Sequence, residues 1–114
     1  MKVIVLVKAT HDSETGLPPS QELIAAMGKF NQELMDAGVF VSAGGLEPSM
    51  RGKRVRFRAG NVTQIDGPFA ETKELVAGFW IWEVPSMEDA LAWVKKAPFP
   101  ADGDGVVELR QFWC

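Results

Sequence analysis

The segment 66–74, Asp-Gly-Pro-Phe-Ala-Glu-Thr-Lys-Glu, places several ionisable side chains close together along the chain. In a cleft, one of its carboxylates could act as a general base, and Lys73 could hold an anionic substrate or stabilise an enolate. Burial among tryptophans would raise the pKa of such a carboxylate toward neutrality. A structural interpretation competes, because Asp-Gly-Pro is a favourable turn and Glu71 and Lys73 can pair on the surface. The pattern predicts Asp66, Glu71 and Lys73 as catalytic candidates and leaves the structural role open.

Three arginines, Arg54, Arg56 and Arg58, alternate along one predicted strand. Alternate residues of a strand share a face, so these like charges need carboxylate partners, a bound anion or open solvent. Arg110, on the last predicted strand, can join them. The pattern predicts Arg54 and Arg110 as binding residues for an acidic substrate. A charged strand edge that protects against aggregation is the competing interpretation.

Two further residues, His11 and Trp80, are predicted to contribute to substrate binding. His11 is the only histidine, and its ordinary pKa of about 6.5 suits a proton shuttle, although a solvated loop histidine is the simpler interpretation. Trp80 alternates with Gly78 on one strand face, and the gap beside it could hold a planar ligand between two sheets, with core packing as the alternative. A metal at His11 and Asp12 would lack further ligands, so neither a metal nor a cofactor is predicted.

Hydrophobic periodicity and turn residues predict the elements that must position these side chains. Ser20 and Ser86 are predicted N-caps of two helices, of which the first ends near Ala37 and the second is stopped by Pro98. Residues 8–20 are predicted as a loop. The predicted strands are 2–8, 39–43, 53–58, 62–65, 75–84 and 105–113. This order predicts one α+β domain spanning the whole chain, a ferredoxin-like βαββαβ fold with an extra hairpin, an antiparallel sheet and both helices on one face.

The predicted strands are apolar on both faces, which predicts a homodimer. In the strand 75–84, Trp80 and Trp82 oppose Phe79 and Ile81, and the first strand alternates in the same way. Two helices cover only one face, and the tryptophans alone would expose about 150–250 Å² each. A second copy stacked sheet to sheet, about 10 Å away, would cover the other face. The alternative is that the central hairpin or the loop after the second strand folds over it.

The composition argues against several classes of function. The chain carries twelve basic and fifteen acidic residues, a net charge of −3, which argues against nucleic acid as an obligate partner. No apolar run approaches the length of a membrane span, about 18 residues, so no membrane partner is predicted. Cys114 is the only cysteine, which rules out an internal disulfide and favours a reducing, cytoplasmic location.

The segment 66–74, followed by Gly78-Phe79-Trp80, resembles the motif of the DGPF branch of the YCII-related proteins. Other matching segments are 27–31, 45–49 and 108–111. The resemblance implies a ferredoxin-like fold that pairs into a dimeric α/β barrel. In the YCII branch, a histidine on the first helix and an aspartate form a proposed catalytic pair. The helix predicted from Gln21 to Ala37 contains no histidine, so this mechanism does not transfer.

Two classes of function remain open. The first is a small-molecule enzyme or binding protein that uses acid–base residues in a pocket between stacked sheets. It predicts that Asp66, Glu71 and Lys73 line an enclosed pocket. The second is a non-catalytic regulatory or interaction module. For this second class, the resemblance implies association with an extracytoplasmic-function sigma factor, because DGPF proteins are frequent neighbours of such factors. The regulatory hypothesis predicts an exposed surface at the DGPF turn.

Overall fold

A computed structural model describes residues 1–99 and 105–113, so Cys114 lies outside the described residues. The strands are β1 (Lys2–Lys8), β2 (Phe40–Gly45), β3 (Lys53–Arg58), β4 (Asn61–Asp66), β5 (Val76–Glu83) and β6 (Val107–Gln111). The helices are α1 (His11–Glu14), α2 (Gln21–Asp36) and α3 (Met87–Lys95), with 3-10 turns at Ser49–Arg51 and Thr72–Glu74. Every predicted strand is present, with ends shifted by one or two residues. Across these two stretches, each helix falls short of the length and hydrophobicity that crossing a bilayer requires.

Four strands form one antiparallel sheet in the order β2-β5-β1-β6. Val5 in the centre lies opposite Trp80 on β5 and opposite Leu109 on β6. Helix α2 connects β1 to β2, helix α3 connects β5 to β6, and both pack on the same face of the sheet. This topology confirms the predicted ferredoxin-like α+β fold, and β3 and β4 form the extra hairpin as a separate two-stranded sheet.

The core lies between the helices and the sheet and is centred on Phe30 of α2. The Phe30 ring meets the rings of Trp80, Trp82 and Trp93 edge-on, at centroid distances of 5.8, 6.3 and 6.2 Å. Aromatic pairs of this kind contribute about 0.5–1.5 kcal/mol each beyond the area that they bury. This cluster fixes α2 over β5, and thereby sets the position of every α2 side chain relative to the sheet.

Local signals in the sequence position both long helices. Ser20 Oγ accepts a hydrogen bond from the backbone N–H three residues later at 3.1 Å, and Ser86 Oγ accepts one from Asp89 N at 3.2 Å. Both predicted N-caps are therefore confirmed. On α3, Ala90 lies on the side that faces the sheet and is buried, whereas Leu91 is exposed.

The predicted loop 8–20 contains the one-turn helix α1. Ser13 N donates to Thr10 Oγ1 at 3.2 Å and Thr10 N donates to Ser13 Oγ at 2.8 Å, a reciprocal capping box. The helix ends at Glu14, whose carboxylate reaches the turn Ser49–Arg51. The segment after β1 is therefore tied to the loop after β2.

The helix-free face of the sheet is formed by Ile4, Leu6, Phe79 and Ile81. Ile4 lies opposite Ile81 and Leu6 opposite Phe79, and all four are half-buried. The prediction that β1 and β5 are apolar on both faces is confirmed, whereas β6 places Glu108 opposite Leu6 and Arg110 opposite Ile4 on the helix-free face. The sequence argument counted the β5 tryptophans on the uncovered face, which is wrong because they pack against Phe30 under the helices.

Residues 53–66, here called the arm, form a hairpin that extends from the rest of the structure. Ala59 and Gly60 make its turn, with φ of +51° and +82°, and every residue of β3 and β4 is exposed. The radius of gyration is 15.8 Å, against about 13 Å for a compact chain of this length. The alternative in which the hairpin covers the helix-free face is not observed, since a covering hairpin would have one buried face.

Candidate functional site

The Asp-Gly-Pro-Phe turn closes the base of the arm against the turn that follows β2. Gly67 N donates to Gly52 O at 3.0 Å, and the Gly67–Pro68 peptide bond is cis. A Cβ atom on Gly67 would overlap the carbonyl oxygen of Ser49. The two turns can approach this closely only because residue 67 has no side chain.

Ser49 links this turn to α1. The Ser49 backbone N donates to Glu14 Oε1 at 2.9 Å, and Ser49 Oγ donates to Glu14 Oε2. Ser49 Oγ also accepts a hydrogen bond from Phe69 N at 3.1 Å. We call Glu14, Ser49, Gly52, Gly67 and Phe69 the clasp. The clasp gives the motif a structural role that requires a glycine at position 67 and involves no chemistry.

The three catalytic candidates lie on exposed parts of the structure. Asp66 accepts hydrogen bonds from Lys53 Nζ at 2.9 Å and from Gln64 Nε2 at 3.0 Å. These bonds, that of Lys53 foremost, hold the pKa of the Asp66 carboxyl below its ordinary value, opposite to the raised pKa expected of a buried base. Glu71 and Lys73 belong to the turn before β5. None of the three lines the cleft described below, and their catalytic roles stay predictions.

The predicted substrate-binding residues lie in separate places. The Arg54 guanidinium stacks over the Phe69 ring, 3.9 Å from its centroid, at the base of the arm. Arg110 Nη1 donates to Glu108 Oε2 at 3.2 Å on β6, and His11 is exposed at the start of α1. The structure therefore does not bring Arg54, Arg110 and His11 together in one chain, and their binding roles stay predictions.

A cleft of about 370 Å³ opens between α2 and the part of the sheet formed by β2 and β5. Met27 and Asn31, one helical turn apart on α2, line it together with Gly78 and Trp80 of β5. The other described lining residues are Val7, Ala43, Gly44, Gly45, Ala77, Phe79 and Phe99. Trp80 thus lines a cavity on the helix-covered side of the sheet and not between two stacked sheets, and it also packs in the core, as the alternative interpretation predicted.

One hydrogen bond orients the polar group of the cleft. Trp80 Nε1 donates to Asn31 Oδ1 at 2.8 Å. Because this bond identifies Oδ1 as the acceptor, Asn31 presents its Nδ2 amide as a donor, and within the described residues Nδ2 donates to no protein atom. The described lining includes no ionisable side chain. The cleft therefore suits an uncharged or charge-delocalised molecule that can accept a hydrogen bond.

Sequence reasoning identified Trp80 and the gap at Gly78 and missed the other residues of the cleft. Met27 and Asn31 are four residues apart in a predicted helix, a spacing that places both on one face, so a usable signal was present. The sequence gives no such signal for Gly45, because this residue shapes the cleft only by having no side chain. A Cβ atom there would meet no atom within 4 Å.

A second groove, of about 400 Å³, runs along the arginine face of the arm. Arg56, Arg58, Asn61 and Thr63 line it, and it is open to solvent along an exposed hairpin. Ala59 and Ile65 complete its lining, and because the groove lies open along the hairpin it lacks the enclosing walls of a small-molecule site. In the described part of the chain, no three His, Cys, Asp or Glu side chains lie grouped as a metal ion would require.

Comparison with known proteins identifies the family. The YCII-related domain model matches residues 1–113. The chain is 27% identical over 90 residues to an uncharacterized protein of Rhizobium meliloti (strain 1021), covering 79% of this chain and 73% of that protein. It is similar in structure to the 5-chloro-2-hydroxyhydroquinone dehydrochlorinase of Burkholderia phenoliruptrix AC1100, which was solved in complex with 2,5-dihydroxybenzoquinone. The two structures have a TM-score of 0.55 and 17% sequence identity, and the match covers 98% of this chain and 93% of the dehydrochlorinase. Since the family model spans nearly all residues, the chain belongs to the YCII-related family, as its motifs predicted.

Proposed function

We propose that this YCII-related protein binds a small, flat, largely apolar molecule in the cleft between α2 and the sheet. The observation that carries the proposal is an apolar lining with one oriented polar group, the Asn31 amide. The volume of about 370 Å³ falls within the roughly 300–1,000 Å³ of small-molecule sites. The rings of Trp80 and Phe99 meet edge-on at 6.4 Å and supply aromatic surface on which a planar ring can pack.

The donor on Asn31 favours a ligand with a carbonyl or hydroxyl oxygen. The lack of an ionisable side chain in the described lining disfavours a ligand with a localised charge. A quinone or a phenol meets both conditions, because it combines a flat ring with oxygen acceptors. The structurally similar dehydrochlorinase holds 2,5-dihydroxybenzoquinone, which supports this compound class as the first probe.

The proposed function is ligand binding. Catalytic turnover needs a separate test, because the candidates Asp66, Glu71 and Lys73 are absent from the described lining of the cleft. His11 follows β1 and Lys73 precedes β5, at the end of the sheet where Val7 and Ala77 line the cleft. We propose His11, Glu71 and Lys73 as the first residues to substitute in a search for activity. A regulatory role with a sigma factor stays a prediction.

We also propose that two copies pair through the helix-free face into a dimeric α/β barrel. The support is physical: Ile4, Leu6, Phe79 and Ile81 form an apolar surface that neither helix covers. Burying such a surface against a second sheet is favourable by about 25 cal/mol per Å² of apolar area.

We also propose a cytoplasmic location. The chain has a single cysteine and therefore cannot form an internal disulfide, which is typical of proteins in a reducing compartment.

Calorimetric titration with 2,5-dihydroxybenzoquinone and with hydroquinone tests the binding proposal. Gly45→Leu places a side chain in the open space of the cleft, and we expect it to weaken binding about tenfold or more. Gly28→Leu is the matched control, since a Cβ on Gly28 also meets no atom within 4 Å but Gly28 does not line the cleft. We expect the control to bind like the wild type.

Two results would contradict the proposal. Equal affinity in Gly45→Leu and wild type would show that the probe binds elsewhere. A wild-type protein that binds neither compound at millimolar concentration would favour the regulatory alternative, which requires no ligand in the cleft.

A further inference from the structure

The arm carries an exposed apolar face. Phe57 lies opposite Val62 in the hairpin, and Val55 is on the same face of β3. Phe57 is 77% exposed, Val62 66% and Val55 52%, while Arg54 and Arg56 occupy the opposite face. A two-stranded hairpin is marginally stable in water unless one face packs against something. The exposed apolar face therefore needs an occupant.

We propose that this apolar face packs against a second copy of the chain, so that each arm of a dimer holds the other subunit. The inference rests on the pairing through the helix-free face proposed above. It adds the arm to that interface and makes the arm a source of stability comparable to the sheet face.

The area available on the helix-free face supports a role for the arm. Ile4, Leu6, Phe79 and Ile81 are half-buried, so at about 150–250 Å² for a large side chain they leave roughly 300 Å² or less to cover. A stable interface buries about 800 Å² on each partner. The three apolar side chains of the arm add an area of similar size. Only an interface that includes the arm approaches the required area.

The distribution of charge favours a second copy over other occupants. Residues 53–66 contain four basic residues and one acidic residue, a net charge of +3. The rest of the chain, with eight basic and fourteen acidic residues, carries −6. A positive arm on a negative body is electrostatically complementary to another copy of the same chain, and the arm does not lie on its own body.

Contacts within one chain also restrain the base of the arm. Lys53 Nζ and Asp66 Oδ1, 2.9 Å apart, join the two strands at its base, and the clasp ties that base to α1 and to the loop after β2. A preorganised surface loses less conformational entropy on association than a flexible one. This geometry suits a permanent contact between subunits.

Sedimentation of the full-length protein from 1 to 100 µM tests the inference. The double variant Phe57→Ser/Val62→Thr removes two of the three apolar side chains of this face, and Thr63→Ser/Ile65→Thr, at exposed positions of β4 on the opposite face, is a matched control that leaves the charge of the arm unchanged. We expect the wild type and the control to have twice the 12.5 kDa mass of one chain. We expect the apolar-face variant to dissociate with a dimer Kd raised at least about 100-fold, since both arms of the dimer are changed.

Three outcomes separate this inference from the proposed pairing. A wild-type dimer that survives Phe57→Ser/Val62→Thr unchanged but dissociates in Ile81→Glu overturns the role of the arm and leaves the sheet pairing intact. Equal weakening by the Thr63→Ser/Ile65→Thr control also overturns it, because the apolar face would then not be the specific contact. A wild type that sediments as one chain up to 100 µM overturns both the pairing and the inference.

Discussion

Replacing Gly67 with alanine is predicted to open the clasp. A Cβ atom at this position would overlap the carbonyl oxygen of Ser49, and that atom is backbone, which cannot turn aside as a flexible side chain can. The two turns must therefore separate. Separation removes the base of the arm from the loop after β2 and from α1.

The size of the effect follows from three interactions that separation breaks. These are the Gly67 N–Gly52 O hydrogen bond of 3.0 Å, the Phe69 N–Ser49 Oγ hydrogen bond of 3.1 Å and the Arg54 guanidinium 3.9 Å from the Phe69 ring centroid. Each hydrogen bond contributes about 0.5–1.5 kcal/mol and an exposed cation–π pair about 0.5–1 kcal/mol. Alanine restricts the unfolded chain, which offsets about 0.4–1 kcal/mol. The expected net loss in the free energy of unfolding is about 1–3 kcal/mol.

Urea denaturation of Gly67→Ala, followed by tryptophan fluorescence, measures this loss. Gly28→Ala is the control, because its Cβ enters open space on α2 and alanine favours the helix by about 0.5–1 kcal/mol. The control should be as stable as the wild type or more stable. A Gly67→Ala protein within about 0.5 kcal/mol of the wild type would refute the close-approach explanation of the motif.

Three further predictions follow from named contacts. Lys53→Met should raise the pKa of Asp66 toward its ordinary value in a carboxyl NMR titration. Because the pKa of Asp66 is lowered in the folded state, the pair stabilises the fold above about pH 4, and this stabilisation is lost as the pH falls. An unmoved pKa would contradict the role of Lys53. Ala59→Asn should slow amide exchange in the arm about two- to fivefold, because asparagine tolerates the φ of +51° better than alanine; faster exchange would show that the turn is not strained. Phe30→Ala should lower the free energy of unfolding by about 3–5 kcal/mol in urea, because it removes the ring common to three aromatic contacts, and a loss under about 1 kcal/mol would contradict the central position of this ring.

The fold was predictable because its signals are local. Ser20 and Ser86 cap the helices through side chain to backbone bonds that span three residues, and strand alternation shows in the sequence itself. Helix α1 was missed because its capping box, Thr10 with Ser13, lies in a segment whose composition is typical of a loop. The assignment of sheet faces failed for Trp80, because alternation shows that two faces exist but not which of them the helices cover.

The site was less predictable because its geometry is set by residues distant in sequence. The Trp80–Asn31 hydrogen bond joins residues 49 positions apart, and its existence depends on how α2 crosses the sheet. For the DGPF motif, both a chemical and a structural interpretation stayed open, because its composition cannot show that Gly67 lies against Ser49. The glycine itself is the only feature of the sequence that indicates such a close approach between two backbone segments.

The most direct test of the binding site is NMR of the wild-type protein with 2,5-dihydroxybenzoquinone. The account predicts intermolecular nuclear Overhauser effects from the ring protons of the probe to the Met27 methyl group and to the Trp80 indole. Trp113, which is fully exposed, should show none. Effects to Ile4 and Ile81 on the helix-free face, in place of those to Met27 and Trp80, would contradict the account.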